Sequence, residues 1–216
     1  MRANLPLAMR FAVLGPANGD LEALEKGASL LLFEHQAEQV VYLGADDALD
    51  RLVLDWARRL VGADPSDEGL WERAAARCVG ARSEEIDRFI AAERRRERLK
   101  ALKCLPVATS RTIELLEGRV AVLLYDKALL DEEDILPASL LIFGRSREPL
   151  VRQVGSRTFV SPGELGARSG VALFTDDEAG EIRVSMYEPG GQLLETHPLV
   201  APRTGRFTVL DSKVST

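Results

Sequence analysis

Apolar and polar positions follow two different periods along this chain. Met9–Leu14 (MRFAVL) is an unbroken apolar run closed by the breaker pair Gly15–Pro16, which predicts a short buried strand. From Asp20 to Glu34 the spacing lengthens, and Leu21, Leu24, Ala28, Leu31 and Leu32 fall on one helical face. Gln39–Leu43 (QVVYL) predicts a second strand, closed by Gly44. Asp47 to Val61 then returns to helical spacing, with Leu49, Leu52, Val53, Trp56 and Leu60 inward. Strand–helix–strand–helix with tight turns is the pattern of a parallel sheet with crossover helices.

The middle is helical and more polar. Gly69–Arg77 predicts a short helix, and Ser83–Lys103 a long one with Ser83 as its N-cap. After Pro106 the period changes again. Thr112–Leu116, Val120–Leu124, Ser139–Phe143 and Leu150–Val154 predict short strands with Gly or Pro between them. Thr158–Val160, Gly170–Thr175, Glu181–Tyr187 and Gln192–Thr196 predict an antiparallel meander, with turns at Asp176–Gly180 and Pro189–Gly191. Residues 1–8 and 197–216 read as tails, the latter offering an extra strand, around one domain over 9–196.

The 216 residues suit one domain large enough to bury a core without disulfide or metal staples. Net charge is −6, which disfavours a whole-surface attraction to nucleic acid or anionic lipid. No apolar run approaches a bilayer span, and Met1 to Ala8 lacks the apolar stretch of a signal peptide. Cys78 and Cys104 suit a reducing cytoplasm and have no C-x-x-C spacing. With only His35 and His197 present, a histidine-rich metal cluster is nearly excluded.

Two stretches are familiar together. Residues 9–44 read MRFAVLGPANGDLEALEKG…QVVYLG, and residues 142–166 read IFGRSREPLVRQVGSRTFVSPGELG. Both resemble the calcineurin-like metallophosphoesterase superfamily, in its small bacterial phosphodiesterase branch. There the first strand ends S-D-x-H-G-N and leads into a helix reading L-E-A-L, and the second ends Y-L-G-D. A later strand ends G-H-T-H, followed by P-x-V-R-x-V-G and F-V-N-P-G-S-V-G. The resemblance covers most of residues 9–190 and is weaker in the middle. It implies an α/β fold, a four-layer αββα sandwich of two mixed sheets flanked by helices, with its site at the carboxyl ends of the strands.

The family's chemistry uses two divalent metals that clamp a phosphate and activate a water. On this alignment the ligand positions are emptied. The first Asp and His fall on Pro16 and Asn18, and the bridging Asp on Ala45. The G-N-H-D motif maps onto Gly80–Ala81–Arg82–Ser83, so Ala81 takes the Asn position. The His-Gly after a strand falls on Tyr125–Asp126, and G-H-T-H on Gly144–Arg145–Ser146–Arg147. Proline and alanine have no side-chain donor atom, and arginine repels a cation. The alignment implies no metal cofactor and no phosphoesterase catalysis.

Other candidates have bland explanations. Asp20, Asp46, Asp47 and Asp50 offer a relocated acidic cation site, but acids opening two helices complement the helix dipole. Asp131–Asp134 is an acidic run suited to a solvated helix start. Residues 81–105 carry eight basic and five acidic side chains, but no aromatics interleave in the basic run Arg94–Lys103 to stack bases. A solvated helix face, with Glu93 and Glu97 pairing along it, is the simpler reading. His35 fits a helix C-terminus, and Arg206–Leu210 alternates as an added edge strand would.

Two functions follow. The first is a pseudoenzyme, a regulatory or scaffolding cytoplasmic module with a protein partner, a second copy of the chain being one candidate. The alternative is a metal-independent phosphate or nucleotide sensor, or a residual phosphodiesterase, using the same pocket. Arg145 and Arg147 would hold its anion. On either reading at least one of these arginines pairs with Asp46, Asp47, Asp126 or an anion.

Overall fold

The computed structural model describes residues 9–106, 109, 111–177 and 180–199. In chain order the elements are β1 (Arg10–Leu14), α1 (Leu21–Ser29), β2 (Gln39–Tyr42), α2 (Ala48–Val61), α3 (Leu70–Cys78) and α4 (Ser83–Arg98). There follow β3 (Leu102–Cys104), β4 (Arg111–Leu116), β5 (Arg119–Leu124), α5 (Glu132–Ile135), β6 (Leu140–Phe143) and β7 (Leu150–Val154). The last strands are β8 (Arg157–Ser161), β9 (Val171–Asp176), β10 (Ile182–Tyr187) and β11 (Leu193–Leu199).

Two mixed sheets face each other. The first runs β11-β10-β9-β1-β2-β3, the second β4-β5-β6-β8-β7. Strands β1, β2 and β3 are parallel, as are β5, β6 and β8. The period-2 alternation of β1 and β2 explains the layering. Phe11, Val13, Val41 and Leu43 face the second sheet and join Leu123, Ile142 and Val160 in one core. Ala12, Leu14, Val40 and Tyr42 face the other way, onto Leu24, Leu31 and Leu49 of the helical layer. Beyond the second sheet a smaller core of Val122, Leu124, Leu141 and Phe143 is topped by Leu130 and Ala138, on either side of α5. The sandwich is therefore αββα with a thin outer layer.

The helix boundaries follow local chemistry. Asp20 opens α1 by accepting the Ala23 N–H at 3.0 Å. The coil then widens over Leu30–Glu34 into a π-helical turn that ends on His35. Gly62, at φ 109°, closes α2 in a conformation side chains disfavour. The N-cap of α4 is Arg82 rather than Ser83, and the Glu85 carboxylate accepts the Arg82 backbone N–H at 2.8 Å.

Three departures from the sequence reading concern tertiary pairing. The long helix stops at Arg98, and Leu102–Cys104 pairs with Val40–Tyr42 as a third parallel strand. Leu99, Leu102 and Leu105 are spaced for a helix, but the open edge of β2 takes the segment. Strand β8 belongs to the second sheet, parallel to β6, so only β9, β10 and β11 form the meander. Strand β11 continues to Leu199, past the boundary expected at residue 196. The tails at 1–8 and 200–216, including the alternating Arg206–Leu210, lie outside the described residues.

Candidate functional site

The carboxyl ends of β1, β2, β5, β6 and β8 are drawn together by close backbone approaches that only glycine permits. A Cβ on Gly15 would lie 1.8 Å from the Gly163 carbonyl oxygen, and the Gly15 N–H donates to the Gly170 carbonyl at 2.8 Å. Gly163 in turn presses on Glu148 and Pro149, in the loop after β6. Across the sandwich, a Cβ on Gly144 would lie 2.3 Å from the Leu43 carbonyl oxygen, joining the ends of β6 and β2. The Gly144 and Arg145 N–H groups both donate to the Tyr125 carbonyl, at 3.1 and 2.7 Å, joining β6 to β5.

On this frame Pro16 is buried, and its carbonyl accepts the Leu165 N–H at 2.9 Å. Asn18 is exposed at φ 49°, in the turn that leads into α1. Ala45 is exposed after β2, Tyr125 packs against the inter-sheet core, and Arg145 and Arg147 are exposed after β6. Ala81 stands elsewhere. It lies in the turn between α3 and α4, whereas the third parallel strand, β3, leads out through Leu105 and Pro106. The placement of the third motif on Gly80–Ser83 is thereby corrected: G-A-R-S follows a helix, not a strand.

The acids near these ends are already engaged. Asp126 meets Arg145 at 2.5 Å, and its other oxygen accepts the Ala128 N–H at 2.9 Å. These contacts, the amide first, hold the Asp126 carboxyl below its ordinary value, and Asp126 raises that of Arg145. Asp46 accepts from the Tyr42 hydroxyl and from the Ala48 N–H, both at 3.0 Å. Asp47 pairs with Arg51 at 3.1 Å one helical turn on, and Asp20 caps α1. Asp50 lies beside Cys104, whose half-buried thiol is pushed up to about 12, mostly by burial and then by Asp50. Among the described residues no three His, Cys, Asp or Glu side chains gather as metal ligands.

Tyr42 carries a role that its place in an apolar strand hides. Its ring is fully buried, and its hydroxyl accepts the buried Ala17 N–H at 2.9 Å while donating to Asp46. A Cβ on Gly44 would fall 2.3 Å from that ring. Burial pushes the phenol well above its ordinary range, so it stays a donor at any physiological pH. The segment Y-L-G-A-D held the signal: a tyrosine, a glycine and an acid four residues on.

The arrangement matches known structures. The chain aligns over 90% of its length with 99% of a conserved Streptococcus pneumoniae protein described as a predicted phosphoesterase, at 10% identity and TM-score 0.50. Its fold is that of the calcineurin-like metallophosphoesterases. Vps29 of Chaetomium thermophilum aligns with 90% of this chain over its whole length, at 15% identity and TM-score 0.49. An archaeal phosphodiesterase aligns with 82% of this chain and 99% of its own, at 11% identity and TM-score 0.44. No protein-family model and no curated protein sequence matches.

Two divalent metals need several oxygen or nitrogen donors aimed at one point. The strand ends here offer Pro16, Ala45, Tyr125 and Arg145, and the adjacent acids are turned to backbone amides, a phenol and a guanidinium. These residues do not fit that pair of metals.

Proposed function

We propose that the chain is a pseudoenzyme, a metallophosphoesterase-like scaffold that has given up metal chemistry and acts in the cytoplasm as a regulatory protein-binding module. The observation that carries this reading is the strand-end cluster itself. The framework glycines Gly15, Gly44 and Gly144 keep the loops in their close approach. At the aligned ligand positions Pro16 and Ala45 have no donor atom and Arg145 repels a cation, while Arg145 with Asp126 supplies locally balanced charge. A rigid sandwich retained without its donors is a surface for recognition. The two free cysteines and the absence, among the described residues, of a helix able to cross a membrane fit a reducing, aqueous compartment.

Metal analysis tests the proposal directly. After incubation with excess Mn²⁺ or Zn²⁺ and desalting, the protein is expected to retain no stoichiometric metal. It is also expected to hydrolyse bis-p-nitrophenyl phosphate no faster than a blank. Two retained equivalents with chelator-sensitive turnover would overturn it. The anion-sensor alternative has weaker support, because Asp126 already neutralises Arg145, which leaves Arg147, of the pair predicted to hold a phosphate, as the one without an acidic partner among the described residues. Stabilisation by nucleotides or phosphate in a thermal shift would favour that alternative.

A further inference from the structure

Among the described residues four strands lie at sheet edges, and three of them carry a feature that discourages a further strand. Strand β3 is three residues long, with Lys103 exposed at its middle. Strand β11 contains Glu195 and Pro198, and β7 turns Arg152 and Gln153 to solvent. Strand β4 is six residues long and has no proline. Its two charges are engaged elsewhere. Arg111 meets Asp134 and Asp131 at the start of α5, and Glu114 accepts from Gln39 of the first sheet at 2.6 Å. On the face of β4 away from the first sheet, Ile113 is 63% exposed and Leu115 70%.

The backbone of β4 is open at the same two residues. The two-residue turn Glu117–Gly118, with φ 45° and 74°, joins β4 to β5 and is closed by the pair Leu116–Arg119. A turn of this kind is closed by a hydrogen-bonded pair, and such pairs alternate with open ones along the ladder. Leu116, Glu114 and Thr112 therefore bond to β5, while Leu115, Ile113 and Arg111 turn their N–H and C=O groups to the free edge. The chain itself arrives at this corner. The Leu199 carbonyl, at the end of β11, accepts from Arg119, the residue that opens β5. Beyond it the sequence reads V-A-P-R-T-G-R-F-T-V-L-D, with Pro202 and Gly205 suited to a reversal and Arg206–Leu210 alternating.

We propose that the free edge of β4 is the docking site of the chain's own segment 206–210, which adds to it as an antiparallel sixth strand of the second sheet. One register matches both faces. With Phe207 opposite Leu115 and Val209 opposite Ile113, two apolar pairs form on the outer face, beside Val120 and Val122 of β5. Arg206 and Thr208 then share the face of Glu114. Arg206 lies diagonally from that carboxylate, which has no cation partner among the described residues. Asp211 comes level with Arg111, which two acids already engage, so the added strand ends before it. A slip of one residue would turn Phe207 and Val209 inward and leave Ile113 and Leu115 uncovered. The length of chain suffices. Eight residue steps from Leu199 to Phe207 span roughly 26 Å, and the added strand lies two strand spacings, about 10 Å, beyond β5. The inference stands on β4 alone and is independent of the reading of the strand ends.

Amide hydrogen exchange of the full chain, read residue by residue, tests it. The N–H groups of Ile113 and Leu115 are expected to exchange at least tenfold more slowly in the full chain than in a chain ended at Gly205 or in Phe207→Asp. Val122, inside the sheet, should stay protected in all three, which shows that the fold is intact. Arg206→Glu should weaken the protection, and Arg206→Glu with Glu114→Lys should restore it. Sedimentation velocity of the same samples should show a monomer at the concentrations where protection is seen. Equal exchange at Ile113 and Leu115 in the full chain and in Phe207→Asp overturns the proposal. Protection that appears only with a dimer also overturns it, since the strand would then come from a second copy. Neither result bears on metal binding or phosphodiesterase turnover, which are read separately.

Discussion

The Tyr42 hydroxyl donates to Asp46 at 3.0 Å across the turn that ends β2, and in the same position accepts the buried Ala17 N–H from the loop after β1. One phenol therefore fastens two of the strand-end loops to each other. Tyr42→Phe leaves the Ala17 amide buried without an acceptor, at a cost of about 1–3 kcal/mol. Urea unfolding should show that loss with an unchanged denaturant slope. A loss well under 1 kcal/mol would mean that water replaces the phenol and the loops are held by other contacts.

Arg145 and Asp126 pair at the end of β6, with the guanidinium largely in solvent. Exposed pairs of this kind contribute little to stability. Arg145→Ala is expected to leave the melting temperature unchanged within error, in low and high salt alike. A clear drop at low salt that vanishes at high salt would show that the pair orders the loop.

Gly15 meets the Gly163 carbonyl oxygen so closely that any Cβ must displace backbone. Gly15→Ala should cost roughly 3 kcal/mol or more, because neither loop can yield without breaking the Gly15–Gly170 and Leu165–Pro16 hydrogen bonds. Soluble protein with a wild-type melting temperature would contradict the packing described for the strand ends.

Much of this architecture was legible in the sequence because short apolar runs bounded by Gly and Pro leave few choices. Strands β1, β2 and β7 begin or end within a residue of their expected places, and Asp20 opens α1 as a cap should. Strand β3 was not legible, because its leucines carry helical spacing and only the edge of β2 makes the segment a strand. The displaced third motif followed from that error, since a motif defined by its strand cannot be located without it. The basic run on α4 read as solvated, yet Arg96 is 7% exposed. Composition cannot reveal which of several arginines meets an acid from a distant loop such as Asp67.

Glu93 joins Arg73 and Arg96 with its side chain 11% exposed. Its carboxyl is held below the ordinary value of 4.5, chiefly by the bond from Arg73 and further by Arg96, against the opposing effect of burial. A carboxyl lowered in the folded state stabilises above its unfolded value, and that contribution disappears as pH falls through the folded value. Acid should therefore loosen the α3–α4 hairpin first below about pH 4.5. Glu93→Gln should cost about 3 kcal/mol at neutral pH by leaving two guanidinium groups without their shared anion. It should also flatten the acid limb of the stability profile. An acid limb as steep as the wild type's would assign that sensitivity to other carboxylates.

Arg119 poses the opposite case, a buried cation with no anion beside it among the described residues. It opens β5 between the two sheets at 8% exposure, and its Nη1 donates to the Leu199 carbonyl at 2.8 Å. Its Nε and Nη2 have no partner among the described residues, and burial lowers its pKa. Desolvating a guanidinium costs several kcal/mol, and one hydrogen bond to a carbonyl returns about 1–3 kcal/mol of it. Methionine has nearly the length of the arginine stem and fills irregular space without a charge. Arg119→Met is therefore expected to stabilise the fold by about 1 kcal/mol, raising the melting temperature by roughly 2–4 °C. The Leu199 carbonyl loses its donor, so amide exchange at the end of β11 should quicken while the rest of the first sheet is slowed. A melting temperature lowered by several degrees would show that Arg119 holds β11 to the second sheet more strongly than its own burial opposes folding.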